Sequence, residues 1–246
     1  MQESTSKIAF PFADGVRAVR TCLLNVRSDA WPFAQKHAAA IDAHWVQATQ
    51  RNPQYFNGIV HLVQDMRGGG DSFEASLVRT DFKSYLYWRE QGFQEAGVLD
   101  GFGSAIIRSS DGHIMLGQQR KGNVNSGLAY PPSGFIDEQD IGADGSIDIT
   151  QSIIREIAEE TGIEAGVLVK DEGFYLTRSG AQLSIAVAFR VPISTSELVS
   201  FIERKIASSP HPELEAIVPV AARHDIEGLA MPRYARALLD ALFAAD

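Results

Sequence analysis

Arg155-Glu156-Ile157-Ala158-Glu159-Glu160-Thr161-Gly162-Ile163 places three carboxylates at i, i+3 and i+4. On a helix these positions share one face. Like charges crowded this way repel, and an ordinary surface helix would disperse them or interleave lysines. A hard divalent cation, which takes oxygen ligands, gives such crowding a stabilising purpose. Arg155 lies four residues before Glu159 and can brace one carboxylate. Gly162 is placed to end the helix as a left-handed C-cap, and Asp148 to begin it as an N-cap. The spacing therefore predicts a helix over 148–161.

Upstream, Pro131-Pro132-Ser133-Gly134-Phe135 reads as a turn that ends a strand and feeds a loop. Taken with the acidic helix, this resembles the Nudix box, G-x5-E-x7-R-E-U-x-E-E-x-G-U, where U is apolar. Gly134 matches the opening glycine. Arg155, Glu156, Ile157, Glu159, Glu160, Gly162 and Ile163 match the end. The loop between them carries seven extra residues, and Ile147 stands where the pattern has its loop glutamate.

The resemblance covers roughly residues 96–246. It implies an α/β fold, a Nudix-type α/β/α sandwich with a mixed sheet. It implies Mg²⁺, or Mn²⁺, held by Glu156, Glu159, Glu160 and the Gly134 carbonyl, with Arg155 orienting a helix glutamate. A helix glutamate, or one from a later loop (Glu213 or Glu215), would serve as base toward an attacking water. The chemistry has a physical logic. The negative charge of a pyrophosphate repels hydroxide, and a carboxylate-held cation neutralises phosphate oxygens and acidifies bound water. Arg120 and Lys121, at the end of a strand upstream of the box, and Arg178, before a turn, are candidate substrate-phosphate contacts.

Bulk composition narrows the partners. The chain has 246 residues, a formal net charge of −9 and 45% hydrophobic residues. An acidic surface argues against non-specific binding of nucleic acid or membrane, and no apolar run is long enough to span a bilayer. The single cysteine, Cys22, excludes an internal disulfide framework and reads as a small buried residue. Residues 1–15 contain one lysine and no extended apolar core, unlike a secretory signal. These features point to a cytoplasmic protein acting on a small nucleotide, with a homodimer as one possible assembly.

The first 95 residues read as a small α+β domain preceding a domain over 96–246. Residues 16–24 are apolar-rich, 30–49 carry helical periodicity, 58–80 form a hairpin around Gly68-Gly69-Gly70-Asp71, and 81–91 form a short aromatic helix. Within 96–246, a strand pair turns at Asp111-Gly112 and another at Ser179-Gly180. Ser194 to Glu197 resembles a capping box, and 232–244 reads as an Ala/Leu helix.

Several N-terminal pieces, namely Trp45, Asn52-Pro53, Tyr55-Phe56-Asn57-Gly58 and Thr80 to Tyr85, resemble the Nudix subfamily that hydrolyses UDP-glucose and UDP-galactose. Its products would be UMP and a sugar 1-phosphate. Alternatives within the superfamily are ADP-ribose, a dinucleoside polyphosphate, NADH or a coenzyme A ester. One cysteine is incompatible with the zinc ribbon of many NADH-cleaving members. A non-catalytic, ligand-sensing Nudix-like module is the alternative outside enzymes, disfavoured by the intact glutamate triplet.

Overall fold

The computed structural model describes residues 13–245; most of the stretch read above for a secretory signal therefore lies outside the described residues. Two strands, Gly15–Val19 (β1) and Thr21–Ala30 (β2), open the chain. Helices Pro32–Lys36 (α1) and Ala38–Arg51 (α2) replace the single expected helix, with His37 between them. Ile59–Gly69 (β3) and Ser72–Asp81 (β4) form the expected hairpin, and Phe82–Glu90 (α3) follows. Asp81 caps α3 by accepting from the Ser84 backbone N–H.

Next come Asp100–Arg108 (β5), Ile114–Gln119 (β6), Ala129–Tyr130 (β7), Ser133–Phe135 (β8) and Ser146–Ile147 (β9). The acidic helix is Ile149–Thr161 (α4). Val169–Lys170 (β10), Phe174–Ser179 (β11), Gln182–Arg190 (β12), Thr195–Ser208 (α5), Leu214–Val220 (β13) and Arg233–Ala245 (α6) complete the described chain.

Among the described residues these strands make two mixed sheets. The larger runs β1-β11-β12-β5-β6-β13, with β10, β7 and β8 attached to β12, β6 and β5. Its β12–β5 pair is parallel, in register from Gln182↔Asp100 to Arg190↔Arg108. The smaller sheet runs β3-β4-β2-β9, with β2 and β4 parallel.

Alternation along the central strands assigns the two faces of the larger sheet. Ala105 and Ile107 of β5, with Leu183, Ile185 and Val187 of β12, share a core with Ile153 and Ile157 of α4 and Leu198 and Ile202 of α5. Ile106, Ala186 and Ala188 instead meet Leu238, Leu239 and Leu242 of α6. Helices thus cover both faces, and strands buried on both sides read as continuous apolar runs. The fold class is α/β, as expected.

An aromatic cluster around Trp31, Tyr85 and Trp88 takes in Val98 and is packed by Phe135 and Ala181, and the segment before residue 96 meets the rest of the chain along several further seams. β1 pairs with β11 at the edge of the larger sheet. β2 pairs with β9, in the long loop between Gly134 and the acidic helix. Leu24, Val63, Phe73 and Leu77 join the same apolar cluster as Ile153 and Ile185. Val63 and Leu99 exchange backbone hydrogen bonds of 2.7 and 3.0 Å. A Cβ at Gly101 would lie 2.4 Å from Val63 Cγ2, so the glycine permits this seam. Cys22 is partly buried against the shared core, and desolvation pushes its thiol up to about 12. The thiolate needed for nucleophilic chemistry is therefore suppressed.

Candidate functional site

The acidic helix is set by local chemistry at both ends. Asp148 accepts from the backbone N–H groups of Thr150 and Gln151 at 3.0 and 3.1 Å. Gly162 closes the helix at φ 75°, a conformation that costs a glycine little. Between them Ile149, Ile153 and Ile157 are buried on one side, which turns Glu156, Glu159 and Glu160 toward a cleft.

Two glycines let the helix approach the sheet. Gly103 of β5 stands in register with Gly134 of β8. A Cβ on Gly103 would lie 2.7 Å from Ile153 Cγ1, and one on Gly134 would lie 2.0 Å from the Glu156 carboxyl carbon. Gly134 thus provides the space in which Glu156 sits.

The enlarged loop is ordered rather than left loose. Asp137 caps a short 3₁₀ turn over Glu138–Asp140. Arg155 Nη2 donates to Asp140 Oδ1 at 2.9 Å and Nη1 to Asp137 Oδ2 at 3.4 Å. The same guanidinium lies 3.7 Å from Glu156 and 3.9 Å from Glu159. Arg155 therefore clasps the loop to the helix while bracing two glutamates. Ile147, at the position of the missing loop glutamate, is 6% exposed and belongs to the core.

The cleft encloses about 1090 Å³. Glu156, Glu159, Glu160, Gly134 and Arg155 line it, as do Arg120, Lys121 and Glu213. Glu160 is 7% exposed, and no protein donor reaches its buried Oε2. Burial, then Glu213 and Glu156, push its carboxyl well above the ordinary range. Burial likewise pushes Glu156 up to about 7, against the pull of Arg155. Glu213 sits at the rim, where water screens it in part; desolvation, then Glu159, raise it.

Of the two loop acids, the cleft includes Glu213 and not Glu215. A β-bulge between Leu214 and Ala216 sets Glu215 outside the pairing with β6. Arg178 departs from expectation. Its side chain does not line the cleft, because β1 pairs alongside and Arg178 reaches Asp14 at 3.5 Å. Lys83 is bonded to Asp42 at 2.5 Å.

Sequence reading passed over most of the cleft floor. Asp100, Arg89, Asn125, Tyr130 and Gln182 line it, beside Tyr85 from the piece Thr80 to Tyr85 singled out above. Arg89 donates to Tyr85 OH at 3.2 Å and to Asn125 Oδ1 at 2.7 Å, and Asn125 donates to Tyr130 OH at 2.9 Å. Tyr85 and Arg89 share α3 at i, i+4, but the others come from distant strands and loops, so no sequence motif gathers the set.

The donor set fits a hard divalent cation: carboxylates only, one of them buried with an oxygen that no protein group satisfies. Among the described residues no group of three or more His, Cys, Asp or Glu side chains is arranged to hold a metal ion. Mg²⁺ retains several waters and needs no all-protein cage.

No protein-family model matches the chain, and no curated protein matches it. Solved structures overlap it in part. A Nudix hydrolase from M. smegmatis is 14% identical, over 59% of this chain and 84% of that one, with a TM-score of 0.41. A MutT protein from Methanosarcina mazei is 18% identical, over 60% and 94%, with a TM-score of 0.42. A bifunctional NMN adenylyltransferase/ADP-ribose pyrophosphatase from Francisella tularensis, complexed with AMP and a Mn ion, is 15% identical. That overlap covers 65% of this chain and 46% of the other, with a TM-score of 0.43.

Proposed function

We propose that this chain is a divalent-cation-dependent hydrolase of the Nudix kind. It cleaves the pyrophosphate bond of a nucleoside diphosphate linked to a second moiety. The observation that carries this reading is Glu160, a buried glutamate with an unsatisfied oxygen, facing a cleft shared with Glu156, Glu159 and Glu213. Without a cation such a cluster is destabilising, because buried like charges are costly.

Glu156, Glu159 and Glu160, with the Gly134 carbonyl, would hold Mg²⁺ or Mn²⁺. When bound, the ion neutralises phosphate oxygens and acidifies a coordinated water. Arg155 orients Glu156 and Glu159 from behind. Arg120 and Lys121, which line the same cleft with Arg120 held beside Glu213 by a backbone hydrogen bond of 3.0 Å, attract the phosphates. Glu213, which lines the same cleft as the helix glutamates, is placed to take a proton from an attacking water.

For the second moiety, the reading is a UDP-sugar, cleaved to UMP and sugar 1-phosphate. Supporting it, the N-terminal pieces that resemble the UDP-sugar subfamily converge on the cleft: Asn52, Tyr55, Phe56, Gly58, Phe82 and Tyr85 all line it. Product analysis after incubation with Mg²⁺ and UDP-glucose, ADP-ribose, NADH, dinucleoside polyphosphates and coenzyme A tests both levels. UMP and glucose 1-phosphate from UDP-glucose alone supports the full reading. Turnover of ADP-ribose instead keeps the reaction class and replaces the sugar nucleotide. No turnover at Mg²⁺ or Mn²⁺ sinks the hydrolase.

A further inference from the structure

Asp100 begins β5 at the cleft floor and is 2% exposed. Its Oδ2 accepts from Tyr85 OH at 3.1 Å and Gln182 Nε2 at 3.3 Å. Its Oδ1 is equally buried, and no protein donor reaches it. The nearby cation, Arg89, is committed to Tyr85 and Asn125. A buried acceptor without a donor is rare, and the side of Asp100 on which a ligand could supply one is the side that lines the cleft, as Gln182 does too.

The walls around this acceptor are flat and apolar. Phe102, two residues along β5 and so on the same face, stands in register with Phe135. Phe135 packs edge-on against Tyr85, with centroids 4.9 Å apart. Phe56, at the rim, is 81% exposed and also lines the cleft. Aromatic faces beside a single recessed acceptor suit a planar ring with a polar edge. The amide of Gln182, whose nitrogen is turned to Asp100, leaves its oxygen as a second acceptor.

We propose that Asp100 and Gln182 form a specificity subsite for the nucleobase, accepting hydrogen bonds from ring or exocyclic N–H groups, with the aromatic walls gripping the ring faces. This rests on the nucleotide-hydrolase reading of the same cleft. It assigns the floor to the base and leaves the acidic helix, Arg120 and Lys121 to the phosphates. Neither Asp100 nor Gln182 is part of the carboxylate set that would hold the cation.

Calorimetric titration of UMP, CMP, AMP, GMP and glucose 1-phosphate in the presence of Mg²⁺ decides it, because none of these contains a pyrophosphate bond to cleave. The wild type is expected to prefer one nucleotide. Asp100→Asn, folded by circular dichroism, is expected to weaken that nucleotide about tenfold, the worth of one hydrogen bond to a charged group, and to leave glucose 1-phosphate unchanged. Should Asp100→Asn not fold, Gln182→Ala is judged by the same pattern. Unchanged preference in the variant, equal loss for glucose 1-phosphate, or no nucleotide bound by the wild type overturns the subsite. Base-dependent binding lost in the variant, in a protein that hydrolyses no nucleoside diphosphate derivative, upholds the subsite and sinks the hydrolase instead.

Discussion

Gly134 and Glu156 occupy one space: a Cβ on the glycine would lie 2.0 Å from the glutamate's carboxyl carbon and 2.3 and 2.4 Å from its oxygens. Gly103, in register with Gly134, admits Ile153 one turn earlier on the same helix. The pair gives contrasting outcomes. Gly134→Ala displaces the end of a flexible side chain, so Tm is expected to change little while Mg²⁺ affinity falls. Gly103→Ala presses on a buried isoleucine and is expected to cost about 1–3 kcal/mol in denaturant unfolding. Equal effects on stability would show that Gly134 does not act through Glu156.

Glu160→Gln removes a buried carboxylate that its neighbours oppose. Turnover with Mg²⁺ is expected to fall by at least about 100-fold, with Tm unchanged or higher. Full activity in this variant would remove Glu160 from the cation site.

The Glu156 carboxyl is pushed up to about 7 from an ordinary 4.5. A raised carboxyl favours the folded state while protonated, so its contribution is present below about 4.5 and is lost as pH rises through about 7. The Tm difference between metal-free wild type and Glu156→Gln should therefore open in the variant's favour across that window. Mg²⁺ should raise the wild-type Tm more at pH 8 than at pH 5. A pH-independent difference would mean that Glu156 titrates normally.

Arg155→Ala leaves Asp140, whose side chain is 3% exposed, without its cation. Loss of a charge-assisted hydrogen bond predicts a cost of about 1–3 kcal/mol. It also predicts faster proteolysis within residues 136–146, measured by limited digestion. Digestion at the wild-type rate would show that β9 alone holds the loop.

Arg120→Ala is expected to raise KM about tenfold with kcat little changed, one charge-assisted contact being worth that much. Arg178→Ala should leave KM untouched, since Arg178 serves the β1 edge through Asp14. A shift in KM for Arg178→Ala and none for Arg120→Ala would reverse the two assignments.

The local elements were legible because their signals are local. Asp148 and Gly162 bound α4, Ser194 and Glu197 cap α5, and Gly70-Asp71 turn the first hairpin, each through bonds made within a few residues. Spacing alone put three glutamates on one helix face. Residues 30–49 were harder: apolar periodicity continues through His37, where the backbone breaks into two helices.

What only the tertiary structure decided depends on contacts far apart in sequence. Arg178 looked available beside its turn, and β1, more than 150 residues earlier, occupies it. Glu213 and Glu215 are indistinguishable in sequence, and one bulge separates them. Ile147 is apolar because β9 pairs with β2 and buries it. Asp100 carries no motif; its unsatisfied oxygen exists only because Tyr85 and Gln182, from two other elements, cover the rest of the carboxylate. The sequence alone determined the acidic helix and the crowding of its carboxylates on one face, since both follow from helical periodicity. The depth of each carboxylate, and with it the cost of burying charge, followed from the packing of strands and helices distant along the chain.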